Sequence, residues 1–422
     1  MTSTPSPRAL LEQLIALDTT SDSGNLPAVE LLQPLLEEAG AQVHVLPRGD
    51  GKNANLVAVF PANAGDSAAA PAHDLSAAGP GLFTDPEDPS RRGVLLAGHL
   101  DCVPVTGQEW TTDPFTPTER DGRLYGRGTA DMKSYLAIAT ALAPEIAAAK
   151  RTQPVVIAAT WEEETTCNGA RDLVGQLEEL GIRPAVAFVG EPTSMRAVPA
   201  HKSMNVLHVD FRGIAAHSSL LPRGLNTIRY AAEFTEWFHT EIIDGFRADG
   251  PFDEAYPVAW STGGVNRLDG GIAVNTVPMS THLELEFRAL PQVEVQPIVD
   301  RIASKVEEID AAMKAAVPED PADTTAAKNV GATLEVVSLL YGLDGEADGH
   351  AARAAQLLGA DRSEEKVTYG TESGIYEHAG MAAVVVGPGD IGQAHGADEF
   401  VALEQLERCE DFLRNVIGAV SA

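Results

Sequence analysis

Gly93-Val94-Leu95-Leu96-Ala97-Gly98-His99-Leu100-Asp101 is an apolar run that ends on an imidazole and a carboxylate. A short apolar run opened by glycine fits a strand buried on both faces. Two similar runs follow it. Pro154 to Trp161 leads into Glu162-Glu163-Glu164, and Ala185 to Val189 leads into Gly190-Glu191. A helix from Met132 to Ala149 separates the first run from the second. Upstream, helices are expected over Arg8 to Leu17 and Pro27 to Ala39, with strands at Gln42 to Leu46 and Asn55 to Phe60. Strands alternating with helices predict an α/β sandwich built on a mostly parallel sheet. In such sheets ligand sites gather at the carboxyl ends of the strands. The histidine and the acidic residues named here all fall there.

From about residue 200 the pattern changes. Leu207, Val209 and Phe211 alternate with polar neighbours, as in a half-exposed strand. A helix is expected from about Asn226 to His239, strands at Ala259 to Val265 and Ser280 to Arg288, and a helix from Val293 to about Ala315. This β-α-β-β-α order predicts a smaller α+β domain over 200–315, inserted into a first domain made of 1–199 and 316–422. Pro318 to Asp323 reads as the return linker. A helix after Gly349, a strand at Ala382 to Val386 and a helix from Leu403 to Ile417 complete the first domain. Residues 63–92 are rich in Ala, Gly, Pro, Asp and Ser without periodicity, and read as a flexible surface insertion between two strands.

Composition narrows the class. With 422 residues and 44% apolar content, the chain can build two domains and a large core. Lys and Arg total 30 against 61 Asp and Glu, for a net charge of −31. That excess argues against nucleic acid or an anionic membrane as the main partner. The three cysteines, Cys102, Cys167 and Cys409, are odd in number and widely spaced. They fit a reducing, cytoplasmic compartment better than a disulfide scaffold, and Cys102 reads as a small buried residue. Met1 to Pro7 lacks a basic region followed by an apolar run, so no signal peptide is expected, and no apolar stretch is long enough for a membrane span.

Five short motifs carry the chemistry. His99 and Asp101 are two apart at a strand end and point the same way, so the aspartate can fix the imidazole tautomer while the other ring nitrogen binds a metal. Asp131 follows Gly126 and Gly128 and precedes a helix; it either caps that helix or offers two oxygens to two metals. Glu162, Glu163 and Glu164 are a solvated run, or carboxylates whose repulsion needs cations or protons to relieve it. In the second case one binds metal and the next carries protons. Glu191 again follows a strand. His395 lies in the late loop Gly392-Gln393-Ala394-His395-Gly396. No Gly-x-Ser-x-Gly elbow of a nucleophilic hydrolase occurs.

Taken together and in this order, the motifs resemble the dinuclear zinc aminoacylase/carboxypeptidase family, the M20-type metallopeptidases. The matching stretches are Gly98 to Pro104, Trp110 to Phe115 with Asp121 to Lys133, Glu163-Glu164-Thr165, Gly190 to Thr193 and Ala394-His395. The resemblance implies two divalent metal ions, zinc or in its place cobalt. It implies His99 and Glu191 on one ion, Glu164 and His395 on the other, and Asp131 between them. It further implies Asp101 supporting His99, and Glu163 as general base. The inserted domain then corresponds to a lid and homodimerisation domain. There Gly213 to Ser219 resembles the motif whose histidine, His217, reaches the partner's active site. Gly270, Gly271 and Asn275 resemble the substrate-contacting lid segment, and Arg288 in Phe287 to Pro291 the group that grips a substrate carboxylate. Tyr369 to Gly374 and Val386 to Phe400 look most like acetylornithine deacetylases. That wording implies hydrolysis of a small N-acyl amino acid, N-acetyl-L-ornithine, to L-ornithine and acetate in arginine biosynthesis. Glu372 is expected to face the side-chain ammonium of that substrate. A desuccinylase, aminoacylase or carboxypeptidase of the same family, and a catalytically dead metal-binding scaffold, are the competing expectations.

Overall fold

In a computed structural model, residues 4–64 and 81–421 are described. Two compact units divide the chain. The first comprises Met1–Ala200, Leu343–Lys366 and Thr371–Ala422, the second His201–Gly342 and Val367–Gly370.

The first unit is built on a sheet whose described strands run in the order Gln42–Pro47, Ala54–Phe60, Val155–Thr160, Val94–His99, Val186–Val189 and Ala382–Val385. The last four are mutually parallel, while Ala54–Phe60 runs antiparallel to both of its neighbours. The α/β expectation with a mostly parallel sheet is met. Val94 to Ala97 are essentially without exposure, as both faces of the central strands are covered. The Val94, Leu95 and Leu96 side chains each contribute about 1.5–3 kcal/mol relative to exposure. Helix Lys133–Ala141 packs against Pro7–Ile15 and Leu403–Val420 and is buried from Lys133 to Thr140. The Lys133 ammonium is satisfied inside by the carbonyls of Leu14 and Leu17, each at 3.0 Å. Tyr135 on this helix lies so close to Gly190 that a Cβ there would come within 2.1 Å of its ring. A glycine is therefore needed where the chain turns from the Val186–Val189 strand into Glu191.

Of the expected insertion 63–92, residues 65–80 lie outside the described residues. Residues 81–92 are mostly at the surface, with Phe83 the one buried residue among them. Phe83 is buried edge-on against Phe188 at 6.2 Å, and its carbonyl accepts the Gly93 N–H at 2.7 Å. One aromatic residue in a polar stretch was enough to anchor it. No helix among the described residues is long and apolar enough to cross a membrane. Cys102, Cys167 and Cys409 are free and buried.

The second unit has an antiparallel sheet in the order Thr262–Gly270, Ser280–Arg288, Met204–Arg212 and Gly331–Leu340. Leu207, Val209, Phe211, Leu283, Leu285 and Phe287 line its inner face beneath helices Thr227–Phe238 and Val295–Ala315. The alternate residues, among them His208, Asp210, His282, Glu284, Glu286 and Arg288, form the other, partly exposed face. The Gly331–Leu340 strand was not anticipated, and it moves the unit's end from the expected 315 to Gly342. Between Val206 and Leu207 the register shifts, leaving Val337 as an extra residue in the strand. That bulge breaks the two-residue alternation by which the strand could have been recognised.

Candidate metal centre

His99 closes its strand and is fully buried. Its Nδ1 lies 2.9 Å from the backbone carbonyl of Asp101. A carbonyl only accepts, so Nδ1 carries the proton and the Nε2 lone pair is left for a cation. The Asp101 carboxylate was expected in that orienting role, but its Oδ1 stands 3.7 Å from Nδ1 and is engaged elsewhere. Oδ1 accepts the Glu163 N–H at 3.1 Å. Oδ2 accepts the Glu164 N–H at 3.3 Å and the Ser21 hydroxyl at 3.0 Å. Asp101 thus ties the end of one strand to the loop at the end of the next, and the main chain holds the imidazole.

Asp131 does not cap the helix that follows it; Met132 occupies the cap position and no side chain bonds to the first turn. Its Oδ1 lies 3.1 Å from His99 Nε2 and its Oδ2 2.9 Å from His395 Nε2. On the first side Glu191 Oε1 is 3.8 Å from His99 Nε2, and on the second Glu164 Oε2 is 3.0 Å from His395 Nε2. His99, Asp131 and Glu191 form one convergent set, and Asp131, Glu164 and His395 another, with the ligand atoms of each within 4.8 Å of one another. Zinc-type ions take imidazole nitrogen and carboxylate oxygen at about 2.0–2.2 Å, so a modest contraction of either set accepts one. Glu164 Oε1 is buried without a hydrogen-bond partner. Such an oxygen is unfavourable unless a cation takes it. The residues present therefore fit a pair of divalent ions sharing Asp131.

Behind Asp131 stands Glu399, a residue to which the sequence alone assigns no role. It is fully buried, and its Oε1 accepts the N–H groups of Ala130 at 2.9 Å and Asp131 at 3.1 Å. Its Oε2 accepts the Gly128 N–H at 3.1 Å and the Arg127 guanidinium at 2.5 Å. Arg127 also donates to Gln108 at 2.7 Å, and the Gln108 amide donates to the His395 carbonyl at 2.7 Å. One buried ion pair thereby fixes both the Asp131 loop and the His395 loop. His395 itself sits at φ 62°, a left-handed conformation uncommon for a residue with a side chain. The available signal was an acidic residue directly ahead of the closing strand Phe400–Ala402.

The three consecutive glutamates diverge. Glu162, at φ 53°, turns out to pair with Arg48, which also covers the Trp161 ring at 4.5 Å. Glu164 turns to His395. Glu163 Oε2 comes within 4.0 Å of His99 Nε2, and Glu163 belongs to neither ligand set. Burial, opposed by His99 and reinforced by Glu164, pushes the Glu163 carboxyl well above its usual range. Burial and then Asp131 do the same to Glu191, and raise Glu164 to about 7. Hydrogen bonds to Asp131 and Glu164 raise His395 to about 10. Burial opposes charge on His99, but its hydrogen bond to Asp131 and the nearby carboxylates outweigh that and raise it. Asp131 would also be raised by burial; the two imidazoles hold it well below the usual range. The bare centre has excess negative charge and draws protons, and cations would supply the same compensation.

Glu372 does not face an open site. It is fully buried, and its carboxylate accepts from the Thr160 hydroxyl and, at 3.1 Å, from the Tyr376 hydroxyl. Burial raises it to about 7. Each oxygen accepts one hydroxyl from within, so Glu372 supports the Val155–Thr160 strand end. His217, Asn275 and Arg288 belong to the second unit. His217 Nδ1 pairs with the Ser219 hydroxyl at 2.8 Å, and the Asn275 carbonyl accepts the Ser218 N–H at 2.9 Å, so these two sit side by side. Arg288, half-buried at the end of its strand, pairs with Glu286 at 3.1 Å.

Comparison with known proteins extends this picture. Residues 95–419 match the family described as Peptidase family M20/M25/M40. An acetylornithine deacetylase of Myxococcus xanthus is 33% identical over 419 residues, covering 98% of this chain and 97% of that one. One of Pasteurella multocida is 29% identical, covering 96% and 93%. Among solved structures, an M20 family metallo-carboxypeptidase from Sulfolobus solfataricus superposes with a TM-score of 0.70 at 15% identity, covering 99% of both chains. A dinuclear metal binding peptidase of the same family from Bacillus subtilis gives 0.58 at 15% identity, covering 98% and 97%. The family match spans well over half of the sequence and includes every strand end that carries the convergent ligands, and the chain belongs to peptidase family M20/M25/M40.

Proposed function

We propose that the chain is a two-metal amidohydrolase that removes the acyl group from an N-acyl amino acid, with N-acetyl-L-ornithine as substrate and L-ornithine and acetate as products in arginine biosynthesis. The observation that carries the reading is Asp131, each of whose oxygens faces a separate histidine with its own glutamate. His99 and Glu191 would hold one ion, Glu164 and His395 the other, and Asp131 both. Zinc suits this mixture of imidazole and carboxylate, and cobalt is its natural substitute. When bound, such ions polarise the scissile carbonyl and make water acidic near neutral pH.

Glu163 is the carboxylate of the centre left without a ligand role. It takes the proton from the attacking water and returns it to the departing amine nitrogen. Asp101 is a positioning residue that sets Glu163 and Glu164 through their backbone N–H groups. Arg288 is proposed to exchange its half-exposed pairing with Glu286 for the substrate carboxylate. Asn275 and His217 are proposed to act in a homodimer formed through the second unit, with His217 serving the partner's site by stabilising the developing oxyanion. Ile272 and Val274, flanking this loop, are 90% and 102% exposed, which supports a surface made to be covered.

The relatives named acetylornithine deacetylase support the substrate choice. A panel of N-acetylornithine, N-acetylmethionine, N-succinyl-diaminopimelate and a dipeptide, run on metal-stripped and zinc- or cobalt-restored protein, tests both parts. Restored turnover with the highest kcat/KM on N-acetylornithine is expected. Full turnover in stripped protein would end the metal reading, and a higher kcat/KM on another member of the panel would replace the substrate.

A further inference from the structure

The exposed face of the second unit's sheet carries a second, unrelated group of ligand-type side chains. On the two central strands His208 stands opposite Glu284, and Asp210 opposite His282. Residues two apart on a strand share a face, and directly opposed residues have Cβ atoms about 4.5–5.5 Å apart. The four side chains therefore form a square, with the imidazoles on one diagonal and the carboxylates on the other. The two rings meet edge to face with centroids 5.0 Å apart. Ligand atoms of His208, His282 and Glu284 lie within 4.8 Å of one another, and all three residues are partly buried.

Asp210 completes the arrangement. Its Oδ1 is 2.9 Å from His282 Nδ1, so the carboxylate holds the Nδ1 proton and leaves the Nε2 lone pair outward. That Nε2 is 3.5 Å from Glu284 Oε1, a gap into which an ion can settle with small rotations of both side chains. An imidazole held from behind by a carboxylate, beside a second imidazole and a second carboxylate, is the donor set of a zinc-type ion with one position open to water. One cation already competes for Glu284: Arg267 lies 2.8 Å from its Oε1. Arg267 also pairs with Asp269 at 2.7 Å and keeps that partner if an ion takes the glutamate.

We propose that His208, His282 and Glu284, with Asp210 orienting His282, bind one divalent transition-metal ion such as Zn²⁺ on the open face of the second unit. None of these residues belongs to the Asp131 centre, so the site stands or falls independently of the proposed activity.

The test is equilibrium dialysis of the full chain against micromolar free Zn²⁺, with bound zinc counted by elemental analysis. Wild type should bind one more ion per chain than the His208→Gln, His282→Asn double variant, whatever number the Asp131 centre holds. Hydrolytic activity, where present, should be equal in the two. Two further variants guard against a folding defect. Asp210→Asn keeps all three ligands and should weaken the extra ion about 10- to 100-fold, as loss of an orienting partner does elsewhere. Arg267→Gln removes the competing cation and should leave binding equal or tighter. Equal zinc content in wild type and double variant would overturn the proposal. So would weaker binding in Arg267→Gln together with none of the expected loss in Asp210→Asn.

Discussion

Replacing Glu399 by glutamine probes how the centre is held without touching a ligand. The side chain keeps its volume and loses its charge. Glu399 now accepts three backbone N–H groups and the buried Arg127 guanidinium. Whichever way the new amide turns, its NH₂ confronts N–H donors on one side, and Arg127 keeps its charge without a counter-ion. Breaking one side of a buried ion pair is destabilising by about 3–5 kcal/mol. Unfolding entropy is ~2.1 cal/mol/K per residue. Over the roughly 280 residues of the first unit, the loss lowers Tm by roughly 5–9 °C. Because the same contacts fix the Asp131 loop and, through Gln108, the His395 loop, zinc affinity should fall about 10- to 100-fold as well. Scanning calorimetry of the metal-free variant and a zinc competition titration measure the two effects. A Tm within a degree of wild type together with unchanged zinc affinity would refute the assignment of Glu399 as the anchor of the centre.

Other outcomes follow from the same geometry. Glu163→Gln should retain its metals by elemental analysis and lose turnover by roughly 10²- to 10⁴-fold or more; near-normal kcat would remove Glu163 from proton transfer. Asp131→Ala should weaken both ions together, since each set includes it; loss of only one ion would argue against a shared carboxylate. In the metal-free protein Glu164 is raised from 4.5 to about 7 and His395 from 6.5 to about 10. A raised folded-state pKa gives stability that is present below the unfolded value and lost as pH rises toward the folded one. The Tm gained on adding zinc should therefore grow from about pH 4.5 to about pH 10, as protons leave Glu164 first and His395 later and cations replace them; a gain that shrinks over that window would contradict the electrostatics. If His217 serves the partner's site, inactive His217→Ala and inactive Glu163→Gln subunits should regain activity when mixed, and no recovery despite proven subunit exchange would confine His217 to its own chain.

What could be read from the sequence depended on how local the cause was. The strands that end at His99 or lead into Glu162 and Glu191 are buried on both faces, so their apolar runs announce them, and the glycine at 190 marks where the Tyr135 ring comes too close for a side chain. The ligand residues were visible because each follows such a run or a glycine-rich turn. The supporting contacts were not. That Asp101 serves the next strand's loop while a carbonyl holds His99 depends on where two strands lie side by side. Glu399 reaches Asp131 across most of the chain, and no local pattern records such a pairing. The enclosure of Glu372 by Thr160 and Tyr376 was equally hidden, since an acidic residue in a late loop gives no sign of such partners. The Gly331–Leu340 strand was hidden by its bulge, and Phe83 by the polar composition around it.

Two cations sharing Asp131 can be seen directly in an anomalous difference map from zinc-loaded crystals. Two peaks flanking Asp131 are expected, one among His99, Asp131 and Glu191 and the other among Asp131, Glu164 and His395, about 3.5–4 Å apart as in other two-metal sites. A single peak, or two that leave Asp131 unshared, would contradict that sharing.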